Sequence, residues 1–347
     1  MKASSCYLLG TVLLVASSCQ RTTDGPGPGA WQQLATSQPL ADVQQLPFIT
    51  PQAGWVVGGY YVPNQLGGSF SNYLLRTTDG GGTWATIDLA PANTTRGLRS
   101  FCAVSEQLLY GVADDLPLSL VRGAKARFVY RSADGGQSWQ RLPSTGYFDG
   151  PVVFPTAQVG VAPYSSTIVR TTDGGSTWQP AWTAPGTEWV NAAQFPTPTT
   201  GFATGNCVLK TTDQGQTWQL LPWANGLIRR AQFLNASVGF ALTESGIINI
   251  AGPSNLTTAL YRTLDGGQSW QQLPSPASGP HAFLSANEFY RAGTSIEHTR
   301  DGGQNWQTEY TLPSGSTSPP DAFADITFPA AGTGYAVSRA GVVVKRQ

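Results

Sequence analysis

Charge is scarce in this chain, and the little there is cancels. Charged residues make up 12% of the 347, against about 25% in an ordinary soluble domain. Twenty basic residues meet twenty acidic ones, so net charge gives no reason to expect nucleic acid or an anionic membrane surface as a partner. His281 and His298 are the only histidines, and neither has a Cys, His or carboxylate at ligand spacing, so no metal centre is expected. No Gly-rich loop leads from a strand into a helix, so neither a phosphate site nor any cofactor is expected. Apolar runs are short as well, and none reaches the roughly 20 residues that a spanning helix needs.

Cysteine is sparse, and its positions carry meaning. Lys2, an apolar stretch over 7–16 and Ser17-Ser18-Cys19 read as an export signal. The end of that stretch resembles a lipoprotein signal, with Cys19 the acylated residue and mature N-terminus, although Ala16 stands where Leu is favoured. Ordinary secretion with cleavage nearby is the alternative. The expected layout is a signal over 1–19, a flexible tether over 20–30 and one folded domain over 31–347, lipid-anchored at the outer or cytoplasmic membrane of a bacterial envelope, or secreted. Cys102 and Cys207 fall in different repeats, so two free thiols are expected rather than a disulfide.

What the chain has in abundance is a repeated hairpin signature. It runs Arg76-Thr77-Thr78-Asp79-Gly80-Gly81-Gly82-Thr83-Trp84 and returns at 131–139, 170–178, 210–218, 262–270 and 298–306. The six acids are Asp79, Asp134, Asp173, Asp213, Asp265 and Asp301, and the six indoles are Trp84, Trp139, Trp178, Trp218, Trp270 and Trp306. A unit of about forty residues suits a four-stranded propeller blade. Around each signature the same strands recur, in the fourth unit over 190–195, 201–204, 208–212 and 217–221. A last unit over 325–328, 334–338 and 341–345 lacks its fourth strand. Trp31-Gln32-Gln33-Leu34 supplies that strand from the other end of the chain. The prediction is therefore an all-β, seven-bladed propeller of four-stranded antiparallel blades, closed by an N-terminal strand in the last blade, with six or eight blades as alternatives.

Comparing the six copies shows what the turn demands. The second loop position accepts Gln214, whereas the next is Gly81, Gly136, Gly175, Gly215, Gly267 or Gly303 without exception, as expected where φ must be positive. Each Asp is expected to accept bonds from its own turn, aided by the Ser or Thr before the Trp. The sixth copy has Asn305 there, which predicts one weaker bond. A ring of acids for catalysis or cation binding is the other reading of the six Asp residues. Their commitment to separate turns argues for structure.

These residues resemble the Asp-box, or bacterial neuraminidase repeat. The flanking pattern of Phe, five residues, Gly-aromatic and a basic residue before Thr-x-Asp, seen over 48–58 with 74–84 and over 195–205 with 208–218, resembles the photosystem II stability and assembly factor family of propellers. That resemblance implies a non-enzymatic scaffold binding a protein partner at a membrane, expected as a monomer that touches the membrane only through its anchor. Arg76, Arg131, Arg170, Lys210, Arg262 and Lys345, with His298, would line one rim as a collar for an acidic partner. The other reading is that their stems pack between blades. The alternative function is a secreted Asp-box glycoside hydrolase or glycan-binding propeller, for which Asp42, Asp114, Asp115, Asp149, Glu188 and Asp321 are the candidate carboxylates. Specificity is expected in the longer segments 61–71, 114–127, 245–258 and 310–320, and in Tyr60, Tyr61, Phe70, Trp182, Trp189 and Trp223.

Overall fold

A computed structural model describes residues 29–34, 43–62, 69–87, 98–114, 127–143, 151–164, 166–247, 255–274, 279–313 and 321–347. Cys19, most of the expected tether, Asp42, Asp115 and Asp149 lie outside them. Seven antiparallel sheets follow one another along the chain. Blade 1 is Val43–Gln45, Gly54–Val62, Ser69–Thr77 and Ala85–Ile87, and blade 4 is Val190–Gln194, Gly201–Gly205, Val208–Thr211 and Gln219–Leu221. Among the described residues no helix is long and apolar enough to cross a membrane.

The chain closes on itself in blade 7. Phe323–Ala330, Thr333–Ser338 and Val343–Arg346 are its first three strands, and Trp31–Gln33 is the fourth. Trp31 stands opposite Arg346 and Gln33 opposite Val344, and the Leu34 N–H donates to the Val343 carbonyl at 2.8 Å. The fold is therefore the expected seven-bladed, all-β propeller.

Blade 3 departs from the expected four strands. Its regular sheet holds only Gly160–Tyr164, Thr167–Thr171 and Gln179–Thr183. The innermost strand shrinks to one bridge, in which Val153 and Val161 exchange both N–H···O bonds at 2.9 Å. The next hydrogen-bonded pair of the ladder would join Pro151 to Pro163. Neither proline has an N–H, so the ladder stops there.

The recurring Phe and Gly-aromatic residues build the seams between blades. At the end of an innermost strand, Phe195 lies over the backbone of Gly201, where a Cβ would come 2.6 Å from the ring. Phe48, Phe154, Phe233 and Phe328 lie likewise over Gly54, Gly160, Gly239 and Gly334. Each ring also faces the preceding blade. Phe48 stacks on Tyr335 at 3.8 Å, Phe154 on Tyr110 at 3.5 Å, Phe233 on Phe202 at 3.6 Å and Phe283 on Phe240 at 3.9 Å. Within its own blade the ring takes the edge of the hairpin indole, as in Phe195 with Trp218 and Phe233 with Trp270. Blade 2 reverses the sizes, placing Ala103 opposite Leu109.

Candidate functional site

The six hairpin turns share one hydrogen-bond plan. In the first, the buried Thr77 hydroxyl donates to Asp79 Oδ1 at 2.8 Å and accepts the Gly81 N–H at 2.8 Å. Asp79 also accepts the Thr83 N–H at 2.9 Å and the Thr83 hydroxyl at 2.7 Å. Ser132, Thr171, Thr211, Thr263 and Thr299 repeat the part of Thr77. The sixth copy is not weaker in geometry, because the Asn305 carboxamide donates to Asp301 at 2.7 Å where a hydroxyl would. Both loop positions have positive φ, for example Gly80 at 72° and Gly81 at 87°, and Gln214 adopts 63°.

These bonds hold all six carboxyls at about 2, below the ordinary aspartate range. The backbone N–H of Thr83, Thr177 or Asn305 contributes most at Asp79, Asp173 and Asp301, and the hydroxyl of Ser138 or Ser269 at Asp134 and Asp265. At Asp213 burial opposes the shift and the Thr217 hydroxyl and N–H overcome it. Each carboxylate is thus engaged by its own turn. Among the described residues no group of three or more His, Cys, Asp or Glu side chains is arranged to hold a metal ion.

The basic residues beside the turns point into the seams. Arg170 Nε donates to the Gln214 carbonyl in the turn of the next blade at 2.9 Å, and Lys210 Nζ to the Ala236 carbonyl of the next at 3.0 Å. Arg262 donates to the Ala286 carbonyl at 2.9 Å and to Asn287 at 2.6 Å. The Arg76 side chain, 15% exposed, reaches the Gly135 carbonyl at 3.4 Å and Glu106 at 4.0 Å. Arg131 stands opposite Tyr110 in the sheet of blade 2, and the Tyr110 hydroxyl donates to the Ala157 carbonyl of blade 3 at 3.1 Å. Lys345 lies over the ring of Tyr335, whose hydroxyl donates to the Pro51 carbonyl of blade 1. In this arrangement the heads cap carbonyls of a neighbouring blade, directly or through a tyrosine, and the stems pack between sheets.

The two faces of the ring differ. On the face that carries the hairpin turns, each turn is tied to its own blade's first turn, as in Gly80 N–H to Gln52, Gly135 N–H to Gln107 and Gly302 N–H to Asn287, all at 2.9 Å. The opposite face receives the hairpins between second and third strands. In blades 1 and 5 these strands run to nine residues, Gly54–Val62 with Ser69–Thr77 and Gly239–Ile247 with Asn255–Thr263. In blades 3, 4 and 6 they are four or five residues long. The extra residues, at least four per strand, lift two ridges about 13 Å at roughly 3.3 Å per residue. Trp189, 36% exposed, belongs to the same face. Trp182 packs against the Ile168 cluster, and Trp223 meets Tyr261 and Trp270 edge to face.

The axial channel was not visible in the sequence. A cavity of about 570 Å³ is lined by Gln45, Gln194, Arg230, Gln232, Asp325 and Thr327 among others. Gln194 gives its amide to the Phe233 carbonyl and takes the Phe233 N–H, both at 3.0 Å, which mimics one rung of a sheet between blades 4 and 5. Asp325 accepts Leu46 N–H of blade 1 and Arg230 Nη2 of blade 5, each at 3.0 Å. Of the carboxylates considered for glycan cleavage, Glu188 accepts the Gly186 N–H at 2.9 Å. Asp321 takes the N–H groups of Ala322 and Ala340.

No family model and no curated protein matches the sequence. Solved structures do. YCF48 bound to a D1 peptide is 19% identical, with a TM-score of 0.62 over 92% of this chain and 98% of that one. YCF48 from Cyanidioschyzon merolae is 17% identical, with the same score and coverage. The GH74 enzyme of Niastella koreensis is 14% identical with a TM-score of 0.63, and this chain spans 53% of it. At these identities the likeness is one of fold. The propeller fold expected from the sequence pattern is the one these structures share.

Proposed function

We propose that the chain is a non-enzymatic, lipid-anchored scaffold that docks a protein partner of a membrane-associated complex on the face opposite the hairpin turns. The observation that carries this reading is the inequality of the faces. One is tied down turn by turn through backbone bonds. The other raises the long hairpins of blades 1 and 5, with blades 6 and 7 between them, and a rigid ring that displays unequal projections is built for recognition. One similar fold, YCF48, is seen with a D1 peptide bound, which supports a protein ligand for this architecture. The GH74 propellers support a glycan-directed reading as the second possibility.

The test compares crosslinked capture from the host's membranes by the full chain and by a variant whose 59–72 hairpin is cut to a tight turn. A partner recovered by the full chain and lost with the trimmed one is the expected result. Equal recovery by both, or hydrolysis of β-glucan oligosaccharides by the full chain, would overturn it. Cys19→Ser, which removes the proposed acylation site, is expected to move the protein from the membrane to the soluble fraction.

A further inference from the structure

One junction of the ring is held by a histidine where the others use a permanent cation. His298 occupies in blade 6 the position of Arg76, Arg131, Arg170, Lys210, Arg262 and Lys345. Its side chain is 2% exposed, with Nδ1 2.9 Å from Glu309 Oε1 and Nε2 3.0 Å from Glu288 Oε1. Ionised carboxylates only accept, so both contacts are hydrogen bonds only when both ring nitrogens carry protons. Tyr290 stacks on the ring at 4.1 Å.

The same carboxylate that grips His298 also holds the chain's closure. Glu309 Oε2 accepts Trp31 Nε1 at 3.0 Å and Arg346 Nε at 3.2 Å. Trp31 and Arg346 are direct register partners in the closing pair of strands. We infer that this site is a protonation-gated clamp, in which the doubly protonated His298 ring braces Glu309 against the closing strands and loss of one ring proton to solvent loosens them.

Every charged group facing the ring is accounted for in that reading. Glu288 lies in the first turn of blade 6, Glu309 on its outermost strand, Tyr290 on its second strand, Arg300 in its hairpin 3.7 Å from Glu288, and Arg346 on the last strand of blade 7. Burial alone would raise the Glu309 carboxyl, but the His298 hydrogen bond, the Arg346 charge and the Trp31 N–H hold it below the usual range. Glu309 therefore stays ionised while the histidine gains or loses its proton. When one ring proton leaves, a nitrogen lone pair faces a carboxylate about 3 Å away. Glu288, whose side chain is 40% exposed, swings into water, and Glu309, at 14%, keeps an uncharged donor. The clamp is thus closed while both ring nitrogens hold protons and weakens when one of them is lost to solvent.

Hydrogen exchange of the full chain tests this by comparing peptides that span Trp31–Gln33 and Val343–Arg346 with the reference strand Thr167–Thr171 of blade 3. After correction for intrinsic exchange, raising the pH from about 5.5 to about 8 is expected to lower relative protection of the closing strands by more than about twofold. His298→Arg and His298→Gln are expected to abolish that pH dependence, and His281→Gln to keep it. A wild-type ratio constant within about twofold, or the same shift in both His298 variants, overturns the clamp. Should the variants not fold, the nitrogen-15 spectrum of wild-type His298 at the lower pH decides. Two protonated ring nitrogens support the clamp, and one lone pair sinks it.

Discussion

Gln214 is the one residue other than glycine that the described chain holds at positive φ, at 63°, and its five counterparts are glycine. A side chain in that region costs about 1 kcal/mol or somewhat more, part of which glycine gives back through its freer unfolded chain. Gln214→Gly is therefore expected to raise stability by about 0.5–1 kcal/mol, read from the urea midpoint at unchanged slope. The six aspartates make a second prediction. Their carboxyls are held at about 2 in the folded chain, so they stabilise it above the ordinary aspartate value of about 4 and lose that effect as pH falls toward 2. Apart from the change that the His298 clamp brings, melting temperature is expected to be flat down to about pH 4 and to drop steeply below it. A profile that declines evenly from neutral pH would contradict that assignment. The need for Gly at the third turn position was legible by comparing the copies with one another. Where the basic side chains end was not, because their acceptors are carbonyls in another blade that leave no mark on the sequence.

At the scale of elements, the spacing of Phe195 and Gly201 was visible, but its reason is the ring resting on the glycine backbone. Gly201→Leu alone forces that ring to move and is expected to cost about 1–3 kcal/mol. Phe195→Ala alone leaves a cavity, at about 3–5 kcal/mol. Together they recreate the Ala103 and Leu109 pair of blade 2, so the double variant should be more stable than the sum implies. A coupling of more than about 1 kcal/mol in a double-mutant cycle is the expected result, and additivity would refute the size exchange. The four-strand rule failed only where Pro151 and Pro163 meet in register. Both prolines were in plain view, but the failure depends on their being opposite each other, which a strand-by-strand reading does not reveal. The glutamine bridge at 194 escaped for a similar reason, since an isolated Gln before Phe carries no signal until its neighbour's backbone is placed.

At the scale of the molecule, seven sheets bury their faces only against one another, so the closing strand belongs to every blade's stability. Deleting 29–34 is expected to expose the edge of Val343–Arg346 and to replace one cooperative unfolding transition by a broader one with a lower midpoint, measured by calorimetry. A truncated chain that melts as sharply as the whole would show that the ring does not need its seal. The seven-fold repeat and its closure were the most legible features, because they rest on a pattern that occurs six times and on one motif missing at one end and present at the other. The axial channel and the unequal heights of the hairpins were not, since they arise only when the blades stand side by side.

The pairing that completes blade 7 joins Trp31 to Arg346, residues more than three hundred positions apart. A chain made from its N-terminus onward has the strand Trp31–Gln33 in hand before any blade and must wait for Val343–Arg346 to use it. Until then six sheets stand as an open arc with a bare rim at each end. The chain's most aggregation-exposed moment is therefore set by the interval before Val343–Arg346 is made and paired, and helpers that shield it would be wanted at the gap in the arc.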